Sequence, residues 1–309
     1  VEDAFDIVTK ALIQRMEAIS CKKTILGLSG GLDSTMALLF IVKAFEKMNL
    51  PKENILLYTM PAFGTSKRTK SNAFKLAEAF GLKLNEIVIK DAVNVHLKDI
   101  GHDGKTQDIA YENAQARERT QILFDIGNME NALVIGTGDK SEISQGFATY
   151  NGDHMASYAL NASLTKTELR YIVSYLVENT ENQKLKEVLD DILKTPISPE
   201  LKNESDDKIS QKTEDIIGPY ELIDFFTYEF LENSSVEEIY EKAKIAFKDD
   251  YDKKSIKKWL KSFYKRLTSS QFKRSVSVDG PALSKKSFSP RRGYLLPSDM
   301  SSEIFIERI

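Results

Sequence analysis

The first 140 residues alternate between short apolar runs and stretches of helical period, and that alternation restricts the chain to few architectures. Strand-like runs fall at 24–28, 55–60, 84–90 and 132–136. Helical patterns fill the intervals to about Asn49, over about 67–80 and over about 107–128. Parallel strands need a crossover, and the crossover helix packs back on the sheet, so this order predicts an α/β, three-layer, doubly wound parallel sheet of about five strands. Ligands of such sheets bind at the carboxyl ends of the strands. Three loops rich in glycine or polar groups lie at those ends, at 28–35, 60–65 and 136–139.

The first of these loops reads LSGGLDST. Gly30 and Gly31 let backbone N–H groups turn inward, and Ser29 and Ser34 add hydroxyl donors. The helix that follows presents its positive end, so the junction suits pyrophosphate. Asp33 is then out of place, because a carboxylate repels phosphate unless a divalent cation lies between them. Its most economical role is a Mg²⁺ ligand beside bound ATP. A glycine turn capped by Ser29 would explain the loop but not Asp33.

Beyond residue 160 the pattern turns helical, with candidate helices at 167–178, 184–193, 217–232, 235–247 and 253–268. The stretch 198–213 (SPELKNESDDKISQKT) has no periodicity and reads as a mobile loop, either a lid or a linker. The opening 16 residues also read as a helix, with Phe5, Val8, Leu12 and Met16 near helical spacing. Entry into a helix directly from Val1 is the pattern expected of a domain trimmed from a longer chain.

At 309 residues and 41% hydrophobic content the chain can bury a substantial core, as one large or two modest domains. It has no apolar run of membrane-spanning length and no leader pattern, so a cytoplasmic location without membrane contact is the default expectation. The single cysteine, Cys21, excludes an intramolecular disulfide and a CxxC zinc site. His96, His102 and His154 are too scattered for a histidine metal centre, and each reads as a loop or core residue. The net charge of −3 argues against nucleic-acid binding by the whole chain. Residues 253–292 nevertheless hold 13 of the 43 basic side chains against one acidic group, Asp279. Ile256, Trp259, Leu260, Phe263, Tyr264 and Leu267 form an apolar stripe there, so most of these lysines suit a solvated helix face. Lys273, Arg274, Arg291 and Arg292 lie beyond the stripe and are better placed for an anionic ligand.

Three further constellations carry chemistry. Asn113 and Arg117 are i, i+4 neighbours, an amide and a guanidinium suited to a carboxylate or phosphate, or else an exposed surface pair. The segment 136–153 (GTGDKSEISQGFATYNGD) gathers Thr137, Glu142, Thr149, Tyr150 and Asp153. Glu142 could join Asp33 around Mg²⁺, or serve as an ordinary carboxylate of a helix start. Lys166 stands at a predicted helix start, where the dipole disfavours an unpaired lysine and a phosphate would explain it.

SGGLDS in a strand–helix unit resembles the PP-loop signature of the ATP pyrophosphatases, which adenylate an acceptor by cleaving ATP between its α and β phosphates. MPAFGTSKRTKSNA, YENAQARERT, VIGTGDKSEISQGFATYNGDHMASYALNASLTKT, ISQKTEDIIGPYELIDFF, SSQFKRS and SPRRGYLLPSD are similar, in order and spacing, to the synthetase domain of NAD⁺ synthetases. TYNGDHM, NASLTKT and the C-terminal SPR and PSD motifs are closest to the glutamine-dependent branch. Ala62, Val278 and Ala282 depart from it.

The resemblance implies an adenine nucleotide alpha hydrolase-like fold with a sheet-bearing ATP-binding core over 1–165 and a helical portion with a basic tail over 166–309. It implies ATP at Ser29, Gly30, Gly31, Leu32, Asp33, Ser34, Met60, Thr137, Lys166 and Ser198, with Mg²⁺ on Asp33 and Glu142. It implies deamido-NAD⁺ at Asn113, Arg117, Glu142, Tyr150, Asp153 and Lys273, where Tyr150 and Ser157 align with a lysine and an aspartate of the ammonia-dependent members. Asp33, Glu142 and Lys166 would carry the catalysis. The implied reaction is amidation of deamido-NAD⁺ through an acyl-adenylate, with ammonia as nitrogen donor, in a homodimer. A glutaminase needs a nucleophilic cysteine, and Cys21 reads as structural, so the glutaminase portion is expected upstream of Val1 or absent. The competing readings are another PP-loop acceptor or a tRNA-modifying partner using the basic tail.

Overall fold

The computed structural model describes residues 1–64, 66–198, 213–291, 293–294 and 296–309. The chain opens with α1 (Glu2–Ala18), followed by β1 (Thr24–Gly27), α2 (Leu32–Met48), β2 (Ile55–Thr59), α3 (Lys67–Ala79) and β3 (Leu84–Glu86). Next come α4 (Lys90–Asp99), α5 (Ile109–Glu130), β4 (Leu133–Gly136), α6 (Lys140–Gln145) and β5 (Tyr158–Ala159). The helical remainder is α7 (Lys166–Asn179), α8 (Gln183–Leu193), α9 (Thr213–Ile217), α10 (Tyr220–Leu231), α11 (Val236–Ala246), α12 (Lys253–Ser269), α13 (Gln271–Ser275) and α14 (Glu303–Ile306). No helix among the described residues is long and apolar enough to cross a membrane.

The five strands form one parallel sheet in the order β3-β2-β1-β4-β5. Alternation along the strands separates its faces. Leu26 and Ile135, paired across β1 and β4, join the core beneath α2, whereas Ile25 and Val134 meet α5 at Gly127. A Cβ on Gly127 would come within 2.9 Å of Val134 Cγ2, so α5 lies close against the strands. Helix α2 is buried nearly all round, from Leu32 to Phe45, because α1 and α7 cover the side turned away from the sheet.

Helices α7 and α8 contribute Leu169, Ile172, Val173, Val188, Leu189 and Ile192 to this same core. The sheet-side core therefore runs on to about Leu193, because the apolar faces of α7 and α8 pack on α2 and α3. A second core belongs to α10, α11 and α12, where Phe226, Phe230, Phe263 and Tyr264 meet edge to face. Helix α12 buries Ile256, Leu260, Phe263, Tyr264 and Leu267, as its stripe predicts.

Three details differ from the sequence reading. The third strand stops at Glu86, and α4 follows from Lys90, burying only Val93 and Leu97. Strand β5 has two residues, too short to carry a pattern. The helix expected over 217–232 is α10, which starts only at Tyr220, because Gly218 (φ +105°) and Pro219 separate it from the short α9. The stretch 199–212, most of the expected loop 198–213, lies outside the described residues, as do Thr65 and Arg292.

Candidate active site

Strand order reverses between β1 and β4, and the loops leaving these two strands enclose the crevice where ligands of such sheets bind. After β1 the chain turns at Gly30 (φ +92°), where a Cβ would lie 2.1 Å from the Thr69 carbonyl oxygen. Only glycine lets α3 close on the loop here. Gly31 is the N-cap of α2, and no side chain caps that helix. Ser29 Oγ accepts from Gly31 N–H (3.2 Å) and lies 3.1 Å from Ser34 Oγ. Ser29 is therefore not the helix cap, and the first N–H groups of α2 stay available to an anion.

The loop after β4 supplies the other wall. Asp139 caps α6 by accepting from Glu142 N–H (2.8 Å), and Glu142 answers by accepting from Asp139 N–H (3.2 Å). Asn161 joins the two loops, donating to the carbonyls of Asp33 (2.9 Å) and Thr137 (2.8 Å).

Lys166 is the first residue of α7, after its Thr165 cap, and is fully buried. It was expected to lack a protein partner, and the structure corrects that. Its Nζ lies 2.7 Å from both carboxylate oxygens of Asp33, 2.8 Å from Asp139 Oδ2 and 3.2 Å from Glu142 Oε1. Burial alone would depress the lysine, but attraction to Asp139, Asp33 and Glu142 raises it well above its usual range. At an effective dielectric constant of about 20, two unit charges 4 Å apart attract by about 4 kcal/mol. Three such attractions offset the several kcal/mol that burying an ammonium costs.

The lysine does not neutralise the cluster. Three carboxylates against one ammonium leave two negative charges when all are ionised. Burial, together with repulsion from Asp33, pushes Glu142 up to about 7, although Lys166 opposes the rise. Asp139 is raised by burial and by the charges of Glu142 and Asp33, again against the pull of Lys166. One oxygen each from Asp33, Asp139 and Glu142 lies within 4.8 Å of the others. Hard oxygen donors with a surplus of two negative charges suit Mg²⁺, which completes its shell from phosphate and water.

A cavity of about 330 Å³ extends from this cluster along the crevice, within the range of small-ligand sites. Ser29, Asp33, Ser34, Met60, Thr137 and Glu142 line it, as do Asp153 and Lys273. Lys166 sits behind the carboxylates, and Gly30, Gly31 and Leu32 form the turn without lining it. Ser198, half-buried, does not reach it.

Asn113, Arg117 and Tyr150 lie outside the cavity as one connected group. Asn113 accepts from Thr149 Oγ1 (2.9 Å), and Arg117 donates to the Tyr150 carbonyl (3.3 Å). Thr149 N–H also donates to Asp153 (2.7 Å), which ties the group to the cavity wall. The exposed ring of Tyr150 stacks on His154 (5.3 Å between centroids) and meets Phe272 (5.2 Å). Lys273 Nζ donates to the carbonyls of Gly146 (2.8 Å) and Ala148 (2.5 Å).

Arg274 is not free for a ligand. It is 2% exposed, and its guanidinium donates to the Ile143 and Ser144 carbonyls. Arg291 is paired with Asp279 (3.3 Å). His154 lies in the turn 151–154, as expected of a loop residue, and lines the cavity, whereas His96 is an exposed residue of α4, neither loop nor core. Cys21 is buried, its thiol directed at the Lys23 and Asn131 carbonyls.

Sequence reasoning missed Asp139, Asn161, Tyr220 and Asp224. Asp139 was legible only as a helix cap, three residues before Glu142. The ring of Tyr220 lies 5.4 Å from Lys166 Nζ, and its buried hydroxyl has no hydrogen-bond partner among the described residues.

Comparison with known proteins places this geometry in a family. The family model described as NAD synthase matches residues 5–277. The glutamine-dependent NAD(+) synthetase of Mycobacterium leprae is 35% identical, and the match covers 99% of this chain and 49% of that protein. The NH(3)-dependent NAD(+) synthetase of Methanococcus aeolicus is 33% identical over 57% of this chain and 67% of its own length. A glutamine-dependent NAD(+) synthetase structure from Cytophaga hutchinsonii shares the fold, with a TM-score of 0.77 at 21% identity over 97% of this chain and 54% of that one. The chain thus spans about half the length of the glutamine-dependent relatives it matches.

Proposed function

The chain belongs to the NAD synthase family, and from that premise we propose that it amidates deamido-NAD⁺ to NAD⁺, using ATP and ammonia and releasing AMP and pyrophosphate. The observation that carries this reading is the cluster of Asp33, Asp139, Glu142 and Lys166 beside an uncapped helix start, on a cavity that Asp153 and Lys273 also line. A nicotinate carboxylate is a poor acyl donor. Its oxygen attacks the α-phosphate of ATP and pyrophosphate leaves; ammonia then attacks the acyl carbon and AMP leaves.

Charge stabilisation and positioning carry these steps, and no protein nucleophile enters them. The N–H groups at the start of α2 and the hydroxyls of Ser29 and Ser34 hold the pyrophosphate. Met60 and Thr137 flank the nucleotide. Asp33 and Glu142, with Asp139 as a third carboxylate, would hold Mg²⁺. A bound Mg²⁺ supplies positive charge to the phosphate oxygens. Lys166, held by the same carboxylates, adds a charge that need move only a short way to meet the leaving group.

Asp153 and Lys273, which line the cavity, take deamido-NAD⁺ together with Asn113, Arg117 and Tyr150 outside it. The burial of Cys21 supports ammonia as the donor that this chain itself uses. The chain works in the cytoplasm as a homodimer, a reading that rests on family resemblance and is checked by sedimentation. The test of the activity is AMP formation from ATP, deamido-NAD⁺ and ammonium. Nicotinate, nicotinate mononucleotide, xanthosine monophosphate and aspartate serve as control acceptors, and glutamine as the alternative donor. AMP formed only with one of the control acceptors refutes the proposal.

A further inference from the structure

The segment GPYELIDFF, residues 218–226, resembles the family but has so far carried no role. It forms the start of α10, whose Leu222, Ile223 and Phe226 belong to the second core. Of the two carboxylates in this segment, Glu221 is exposed, whereas Asp224 is buried, 6% exposed. A buried carboxylate must be satisfied by donors, and the donors of Asp224 come from two other helices. Its Oδ1 accepts from Ser141 Oγ in α6, and its Oδ2 accepts from Thr167 N–H (2.9 Å) and Thr167 Oγ1 (2.8 Å) in α7. Ser141 Oγ accepts in turn from Lys166 N–H (2.8 Å).

Ser141 stands between Asp139 and Glu142 in the first turn of α6, and Thr167 directly follows Lys166. Three of the four charged groups of the cluster are therefore carried by the two helix starts that Asp224 clamps together. Asp224 itself does not line the cavity. Tyr220, one turn earlier on the same helix, lies over Lys166, so α10 backs the cluster at two points. We propose that Asp224 is a positioning residue for the amidation: it fixes the starts of α6 and α7 against each other and so sets where Asp139, Glu142 and Lys166 stand.

This inference rests on the function proposed above, and the test separates the two. Asp224→Ala removes the clamp. Asp224→Asn keeps its size but turns one acceptor into a donor. Glu229→Gln is the control, a carboxylate of the same helix, 8% exposed, whose partners Lys242 and Ser234 lie away from the site.

Misplacement by about 1 Å costs on the order of 10²-fold in rate, so D224A is expected to lose kcat by about that factor with little change in KM for ATP. D224N is expected to recover part of the loss. E229Q is expected to lower the unfolding midpoint and leave kcat unchanged. Mn²⁺ titration in the presence of ATP, followed by electron paramagnetic resonance, is expected to show affinity weakened about tenfold in D224A, the usual consequence of losing an outer-shell partner.

A folded D224A with the parent's kcat and Mn²⁺ affinity overturns the proposal, as does an equal loss of kcat in E229Q. If D224A does not fold, Ser141→Ala carries the test, and the parent's kcat in that variant overturns it. A parent chain that forms no AMP with any acceptor refutes the proposed function alone. The Mn²⁺ titration then still decides the role of Asp224.

Discussion

Lys166 Nζ sits 2.7 Å from both carboxylate oxygens of Asp33, a residue 133 positions earlier in the chain. The lysine stands where it can neutralise part of the cluster in the absence of nucleotide, and it shares the carboxylates that suit a divalent cation.

Replacing Lys166 by Met should have two opposite effects. Loss of a charge aimed at the leaving group is expected to lower kcat by on the order of 10²–10³. The carboxylates left behind should bind free Mn²⁺ without ATP at least about tenfold more tightly than the parent, because a contacting positive charge is gone. Mn²⁺ resonance titration checks this, and equal affinity in the two proteins would sink the idea that lysine and metal compete.

Glu142 sets a pH dependence whose sign follows from its raised value. It rises from 4.5 to about 7 in the folded chain. Between those values the folded state binds more protons than the unfolded state, so this group stabilises the fold at the acidic end of the window and that contribution is lost as pH rises through about 7. Measured by urea unfolding without metal, the stability of the parent relative to Glu142→Gln should fall steadily from pH 4.5 to 7. A flat difference would show that Glu142 ionises normally.

Gly30→Ala should damage the nucleotide end without touching any charge. The substitution forces a residue with a Cβ to φ +92° and sets that Cβ 2.1 Å from the Thr69 carbonyl oxygen. Backbone strain of this kind costs about 1–3 kcal/mol before the displacement of α3 is counted. Urea unfolding should show the loss, and isothermal titration should show weakened ATP binding.

Arg117→Ala addresses the other substrate. The guanidinium donates to the carbonyl of Tyr150, and the neighbouring Thr149 N–H donates to Asp153 of the cavity lining. KM for deamido-NAD⁺ should rise by about tenfold or more while KM for ATP stays unchanged, the pattern of a lost ground-state contact. A rise in KM for ATP instead would move Arg117 to the nucleotide end.

The sheet was legible because β1, β2 and β4 are apolar and lie between long helices, and the loop at Ser29–Ser34 was legible because glycines and hydroxyls in one short run do little else. Helix α4 was hidden by the strand-like Ile87, Val88 and Ile89 before it and by its having just two buried residues. Asp139 was hidden by its second duty as a helix cap. The partners of Lys166 could not be read at all, since periodicity reports which way a side chain faces within its own element and not which distant residue it will meet. Asp224 was hidden for the same reason, as one of three carboxylates in a largely apolar helix.

The bridge from Asn161 to the carbonyls of Asp33 and Thr137 also bears on how the protein assembles. It joins segments from the first and middle parts of the chain across the boundary between β1 and β4, strands that are neighbours in the sheet although β2 and β3 separate them in sequence. No contiguous fragment ending before β4 can hold both walls of the crevice. Loop-closure entropy must be met before such non-local contacts repay it. Affinity for nucleotide is therefore a property of the completed topology, and ATP will stabilise the native state by mass action while leaving early intermediates unaffected.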